Sequence, residues 1–127
     1  MINNLNEEQP IFIQIAAMLK EAILSEAYVE ESQIPSITEF SIAYKINPAT
    51  ALKGVNILVE EGFLYKKRGL GMFVAKGARE SLSALRKEQF YANYVKPMTR
   101  EANQLVIKDK ELFEMVERGL KEDGNTD

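Results

Sequence analysis

Apolar residues in the first part of the chain recur at intervals of three and four positions, which predicts amphipathic helices. The first helix is expected from about residue 9 to residue 25 or 27, because Pro10 suits a first helical turn. Its apolar stripe consists of Phe12, Ile15, Leu19, Ala22 and Ile23. This stripe indicates a helix that packs against a core.

The second helix is predicted from Ile37 to about Tyr44 by the signal at its start. Ser36 follows a proline and Glu39 stands three residues after Ser36, which is the spacing of a capping box. Residues 28–34 before it are polar and acidic and are typical of a connector. The residues expected to face inward are Ile37, Phe40 and Ala43.

A third helix is predicted directly after a tight turn that ends at Ile46. Asn47 is a good N-cap and Pro48 a good first helical residue, so the helix should begin there and continue to Glu61. Gly62 is expected to end this helix. The inward-facing residues would be Ala51, Val55, Leu58 and Val59.

Two short β-prone runs, residues 63–67 and 72–75, flank the segment Arg68-Gly69-Leu70-Gly71 and predict a β-hairpin. A short helix, a tight turn, a second helix and a basic hairpin are typical of a winged helix-turn-helix, which reads the DNA major groove with its second helix. The predicted fold class is therefore mainly α with a small β-hairpin. Residues 9–77 would form its DNA-binding domain.

From residue 78 the helical pattern returns, and it carries more apolar residues than a solvated helix should show. Pro97 falls inside this pattern and should kink or break the helix near Lys96. Residues 78–121 are expected to form a two-helix dimerisation region, because so small an appendage cannot bury a core alone. Packing back onto the winged domain is the alternative. The candidate interface residues are Leu82, Leu85, Phe90, Tyr94, Met98, Leu112, Phe113 and Val116. Residues 122–127 should be a flexible tail.

Composition narrows the possible chemistry. The 127 residues are 46% hydrophobic and include no cysteine and no histidine. Thiol nucleophiles, thiolate or imidazole metal sites and histidine-based acid–base catalysis are therefore excluded, so we expect neither an enzyme nor a cofactor or metal site. The first six residues lack the pattern of a secretory signal, and no apolar run approaches the ~20 residues of a membrane span. A cytoplasmic protein without a membrane contact is expected.

Charge is distributed unevenly. The net charge of −3 is unfavourable for DNA binding, which depends on neutralising phosphates. Between Ser41 and Arg79, however, seven basic residues outnumber two acidic ones. These basic residues flank the predicted third helix and hairpin, where a DNA backbone would lie.

The first turn of the third helix holds the candidate base contacts. Thr50 can donate a hydrogen bond to a base edge, and Ala49 offers a methyl contact to thymine. Lys53 lies one turn later and is a candidate phosphate contact. In the hairpin, Lys66, Lys67 and Arg68 would lie along one phosphate strand.

In five segments the chain resembles the GntR family of bacterial transcription regulators. These segments occur in the family's order and spacing: Pro10-Ile11-Phe12-Ile13-Gln14-Ile15, Ile34-Pro35-Ser36, Ile46-Asn47-Pro48-Ala49-Thr50, Glu60-Glu61-Gly62-Phe63-Leu64 and Arg68-Gly69-Leu70-Gly71-Met72-Phe73-Val74. The short tail, with Tyr94-Val95-Lys96-Pro97-Met98 and Glu101-Ala102, is similar to the YtrA-like subfamily. That resemblance implies a small dimerisation appendage, no large effector domain, and often repression of transporter operons.

The chain departs from the family pattern at several positions. Thr38 and Pro48 stand where relatives usually carry arginine, and Leu70 stands where the wing often has a basic residue. Glu26 and Glu31 replace common connector glycines. Residues and resemblance together give these candidate DNA contacts: Ser36, Thr38, Asn47, Pro48, Ala49, Thr50, Leu52, Lys53, Lys66, Lys67, Arg68, Gly69, Leu70 and Gly71.

The function expected from all this is a homodimeric repressor that binds a near-palindromic operator in double-stranded DNA. Its half-sites would be ~34 Å apart, one helical turn of DNA. Two alternatives remain. A winged helix can serve as a protein-interaction module without DNA binding, since a fold does not determine a function. A small-molecule sensor, with an unknown effector held near the tail's aromatic residues, is the other.

Overall fold

Three helices begin the described part of the chain, and the second and third start at the predicted capping residues. A computed structural model describes residues 9–124, with α1 at Ile11–Leu24, α2 at Ile37–Tyr44 and α3 at Pro48–Glu60. The capping box before α2 is formed: the Ser36 hydroxyl accepts the Glu39 N–H at 3.0 Å, and the Glu39 carboxylate accepts the Ser36 N–H at 2.9 Å. At α3, the Asn47 Oδ1 accepts the Ala49 N–H at 2.8 Å.

The hairpin consists of β1 at Leu64–Lys67 and β2 at Gly71–Val74, paired antiparallel. Leu64 lies opposite Val74 and Lys67 opposite Gly71, so the tip contains residues 68–70. The connector before α2 adds a third, short piece of sheet, because Gln33 forms an isolated bridge with Phe73. The predicted hairpin is thus present, with strand ends shifted by one residue.

The side chain of Gln33 also holds the hairpin tip. Its Nε2 donates to the carbonyl oxygen of Leu70 at 2.5 Å. Gly71, with φ of 130°, makes room for this amide, since a Cβ at Gly71 would lie 2.6 Å from the same nitrogen. A second link joins β1 to the connector, where the Tyr65 hydroxyl donates to the Glu31 carboxylate at 3.2 Å.

The core lies between α1, α3 and the hairpin. Gly54 allows α3 to approach α1 closely, because a Cβ there would lie 2.7 Å from Cγ2 of Ile15. Ala78 and Leu82, in the first half of α4 (Ala78–Phe90), are buried in this core as well. The start of α4 is capped by Glu30, whose carboxylate accepts the Gly77 N–H at 2.8 Å. The other main core residues are Ile15, Leu19, Ile23, Phe40, Val55, Leu58, Leu64 and Val74.

The chain divides between Leu85 and Arg86 into two compact units, and the second is helical. After α4, residues Tyr91–Val95 form a π-helical turn, followed by α5 at Lys96–Gln104 and α6 at Asp109–Gly124. Residues 122–124, the start of the predicted flexible tail, belong to α6. Residues 125–127 lie outside the described part, as do the first eight residues, on which the expectation of no secretory signal rests.

The prediction that Pro97 kinks or breaks the helix near Lys96 is met by an irregular backbone just before Pro97, and the helix does not break. Proline lacks an N–H, and its ring clashes with the carbonyl four residues earlier. The π-helical turn absorbs this clash: the Lys96 N–H bonds to the Tyr91 carbonyl, five residues back. The chain therefore stays helical through Pro97.

The helices α3 and α5 end in the same hydrogen-bonded motif with different residues in its left-handed position. After α3, Gly62 has a φ of 86°, and the Phe63 N–H bonds to the Leu58 carbonyl. After α5, Val106 has a φ of 56°, and the Ile107 N–H bonds to the Ala102 carbonyl. A β-branched residue in this conformation is strained.

Candidate nucleic-acid interface

The first turn of α3 is open to solvent. Asn47, Pro48 and Ala49 are exposed and Thr50 is partly exposed, whereas Ala51 and Val55 on the opposite side are buried in the core. Leu52 and Lys53 also lie on the exposed side. The start of α3 therefore presents small side chains and a threonine hydroxyl, a shape that fits between the walls of a DNA major groove.

Lys53 has a partner that the sequence pattern did not indicate. Its ammonium nitrogen lies 4.0 Å from the centre of the Phe12 ring, a cation–π contact between α3 and α1. Phe12 was predicted as a core residue of α1, and the structure shows it partly exposed beneath this lysine. The contact holds the positive charge of Lys53 close to the surface of α1.

The hairpin of β1 and β2, residues 64–74, is the wing of this fold, and it carries its basic residues at and beside its tip. The ammonium of Lys67 lies 4.5 Å from the centre of the Phe73 ring, and Phe73 stacks on Tyr65 with ring centres 6.0 Å apart. Lys66 and Arg68 are exposed. Gly69, with φ of 79°, and Gly71 allow the tight turn, and Leu70 stands at the tip with 63% of its surface exposed.

The start of α2 contributes Ser36 and Thr38, both exposed. The Ser36 hydroxyl is already engaged in the capping box. Hydrogen bonds from the Ser36 backbone and side chain hold the pKa of Glu39 below its usual value, so that this carboxylate stays ionised. A fixed negative charge beside Thr38 repels phosphate.

Two acidic residues in the locally basic region, Glu60 and Glu61, lie at the far end of α3 from Asn47. Glu61 pairs with Lys20 at 2.9 Å, which reduces its effect on a nearby phosphate. Exposed basic residues of the first unit near α3 and the hairpin include Lys45, Lys53, Lys66, Lys67 and Arg68.

The candidate interface residues of the predicted dimerisation region, residues 78–121, differ in how exposed they are. Leu82 is only 2% exposed within the core of the first unit, where it cannot contact a second chain. Leu112 is partly buried, and the other candidates are exposed: Leu85, Phe90, Tyr94, Met98, Phe113 and Val116. Five further exposed apolar residues are not among the candidate interface residues: Tyr91, Leu105, Val106, Met115 and Leu120. Their apolar character was the available signal.

Within residues 9–124, no group of three or more acidic side chains is arranged to hold a metal ion. Over the same residues, no helix is long and apolar enough to cross a membrane.

A short helix, a tight turn, an exposed second helix and an adjoining hairpin define the winged helix-turn-helix class of proteins. The chain belongs to the GntR family of transcriptional regulators, which confirms the resemblance predicted from its sequence. It is 34% identical to a protein described as a GntR-family regulator from Bacteroides thetaiotaomicron. The match covers 89% of this chain and 98% of that one, with a TM-score of 0.73.

Curated relatives from Bacillus subtilis are also regulators rather than enzymes. The uncharacterised regulator YhcF is 25% identical over 90% of this chain and 93% of its own length. The repressor YtrA is 30% identical over 58% of this chain and 56% of its own length. The match to the regulator YurK spans only 30% of that protein. No family model matches the chain.

A structural relative has been solved with DNA. The DNA-binding domain of AraR in complex with operator ORE1 is 27% identical, with a TM-score of 0.52. The match covers 56% of this chain and 89% of the AraR domain.

Proposed function

We propose that the chain is a DNA-binding transcriptional repressor that acts as a homodimer on a near-palindromic operator. The observation that carries the proposal is the exposed first turn of α3 beside a basic wing, in a chain of the GntR family. The AraR DNA-binding domain, which matches 56% of this chain, has been solved in complex with an operator, and this supports DNA binding by the same fold here.

The exposed residues would contact DNA in two ways, through base edges and through phosphates. Ala49 and Thr50 at the start of α3 would meet base edges and supply sequence discrimination. Arg68 and Lys66 in the wing, and Lys53 on α3, would contact phosphates, which adds affinity without sequence preference. The absence of arginine at Thr38 and Pro48 leaves more of the phosphate binding to the wing.

The second unit supports a dimer. Among its described residues, 86–124, Ala102 is the one that is buried, so the helices have almost no core of their own. Phe113 is 70% exposed and Tyr94 63% exposed. Apolar surface of this extent is usually covered in solution, and a second copy of the same helices would cover it symmetrically.

DNA binding is tested by selecting an operator from random DNA and titrating it by fluorescence anisotropy at several salt concentrations. We expect affinity to fall steeply with salt, and Arg68→Ala and Lys53→Ala each to lower the salt slope by ~1. Lys110→Ala, on α6, is the matched control and should leave the slope unchanged. Failure to select any sequence, with no binding at low salt, would refute the proposal and favour a protein-interaction module.

The dimer is tested by sedimentation of the free protein. We expect wild type to sediment as a dimer, and Phe113→Ser to shift it towards monomer and weaken operator binding. Leu70→Ser removes an exposed apolar residue from the wing tip and should leave the sedimentation unchanged. A monomeric wild type would overturn the dimer. Repression is tested separately, by transcription in vitro from a promoter that contains the selected operator; an increase in transcript would contradict it.

A further inference from the structure

A groove lined by tyrosines lies between the connector and α2 in the first unit. We call it the tyrosine groove, and its walls include Tyr28, Ile34, Glu39, Ala43 and Tyr44. Its volume is about 660 Å³, within the range of small-molecule sites. A second groove of about 420 Å³ adjoins it and shares Tyr28 and Tyr44 as walls. None of the candidate DNA contacts lines either groove.

The chemistry of the lining favours a cation. Two phenol rings offer negatively polarised faces, and Glu39 adds a carboxylate at one side. Glu21 adds a second carboxylate in the adjoining groove. Across both linings, taken over the described residues, no lysine or arginine is present to repel a cation or attract an anion.

The polar groups are in the states that such a ligand requires. Hydrogen bonds from Ser36 keep the pKa of Glu39 low, so its charge is retained. Burial, and to a smaller extent the neighbouring Tyr44 phenol, raises the pKa of Tyr28. The Tyr28 hydroxyl therefore stays neutral, and its oxygen can accept a hydrogen bond from an ammonium group. Ile34 and Ala43 provide apolar contact for the rest of a ligand.

We propose that the tyrosine groove is a binding site for a small aromatic or apolar amine that carries one positive charge. Its ammonium would lie against the tyrosine rings and the Glu39 carboxylate, and its apolar part against Ile34 and Ala43. Such a ligand would also contact Tyr44, the last residue of α2, directly before the turn that leads to α3.

The site is tested on the free protein, so its outcome does not depend on DNA binding. The probes are 2-phenylethylammonium, neutral 2-phenylethanol and anionic 3-phenylpropionate, titrated by NMR. We expect saturable binding of the cation at least about tenfold tighter than that of either other probe. The amide shifts should centre on Tyr28, Glu39, Ala43 and Tyr44.

Two variants locate the site. Ala43→Trp fills the groove from an exposed position and should reduce cation binding by about tenfold or more, whereas Ile42→Trp, on the same helix outside the groove, should not. Glu39→Gln keeps the capping box and removes the negative charge. It should therefore weaken binding of the cationic probe by about threefold and leave binding of the neutral probe unchanged. Glu60→Gln is the charge control.

The results that overturn the site are equally specific. Equal affinity for the three probes would show that charge plays no part in it. Cation binding that is absent from wild type, or that survives Ala43→Trp unchanged in a folded protein, would show that this groove is not where the ligand sits. The comparison of probes uses wild type alone and stands even if a variant fails to fold.

Discussion

Replacing Gly54 with alanine tests the contact that positions α3 against α1. An added Cβ would lie 2.7 Å from Ile15 Cγ2, 2.9 Å from Ile15 Cβ and 2.9 Å from the Phe12 carbonyl oxygen. Ile15 is fully buried, so its side chain has no free space to enter, and the carbonyl belongs to the backbone of α1. The two helices must therefore separate or distort to accept one methyl group.

The expected effect is the difference between two opposing quantities. Alanine stabilises a helix interior by about 1 kcal/mol relative to glycine. Overpacking a core costs about 1–3 kcal/mol, and three contacts of this closeness point to the upper end. We therefore expect Gly54→Ala to lower the free energy of unfolding by about 2 kcal/mol, measured by urea denaturation at a fixed protomer concentration.

Two further variants make the reasoning refutable. Gly119→Ala, in α6, has no atom within 4 Å of the added Cβ and should raise stability by up to about 1 kcal/mol. Ile15→Leu removes Cγ2, so combining it with Gly54→Ala should recover part of the loss and reveal coupling of at least about 0.5 kcal/mol. If Gly54→Ala proved as stable as wild type, the close packing of α1 and α3 would not be the reason for this glycine.

Three other predictions concern backbone conformation and charge. Val106→Gly should raise the free energy of unfolding of the second unit, measured by thermal denaturation, by about 1 kcal/mol. The reason is that it removes a β-branched residue from a left-handed conformation at a position that is 72% exposed. Val106→Ala keeps most of the strain and should give no such gain. Glu26→Gly should raise the free energy of unfolding, measured by urea denaturation, by about 1 kcal/mol, because glycine adopts the φ of 65° without strain. The ion pair of Glu26 with Arg79, at 4.0 Å, is weak, so its loss should cost little. No gain would mean that the conformation of Glu26 is unstrained. Because the pKa of Glu39 is lowered in the folded state, the ionised carboxylate stabilises the fold at pH values above the usual carboxyl pKa. This stabilisation is lost as the pH falls through the lowered pKa of the folded state. The urea midpoints of wild type and Glu39→Gln should thus converge in acid, and a constant difference would contradict this.

Local signals made much of the fold predictable. Ser36 and Glu39 at α2 and Asn47 and Pro48 at α3 specify helix starts through bonds to neighbouring backbone groups, and both helices begin where these residues predict. At Glu26 and Glu31, where the resemblance implied connector glycines, the backbone is left-handed, with φ of 65° and 67°. Their conformation follows from the turn rather than from the side chain.

Features that depend on distant residues were not predictable in this way. The position of Lys53 over Phe12 and the burial of Leu82 in the first core arise from contacts between separate helices, which periodicity along one helix does not reveal. Whether the helix kinks or breaks at Pro97 could not be decided from the sequence, because proline alone indicates either, and a π-helical turn keeps the chain helical here. Which of the exposed side chains touch DNA stays a prediction.

The bond from Gln33 to the Leu70 carbonyl has a consequence for how the wing would meet DNA. A loop tip that is mobile in the free protein must lose conformational entropy on binding, and that loss subtracts from affinity. Here the ordering takes place during folding, so the tip is preorganised. We therefore expect the strength of phosphate binding at the wing to depend on a side-chain amide in the connector, 37 residues before the carbonyl that it holds.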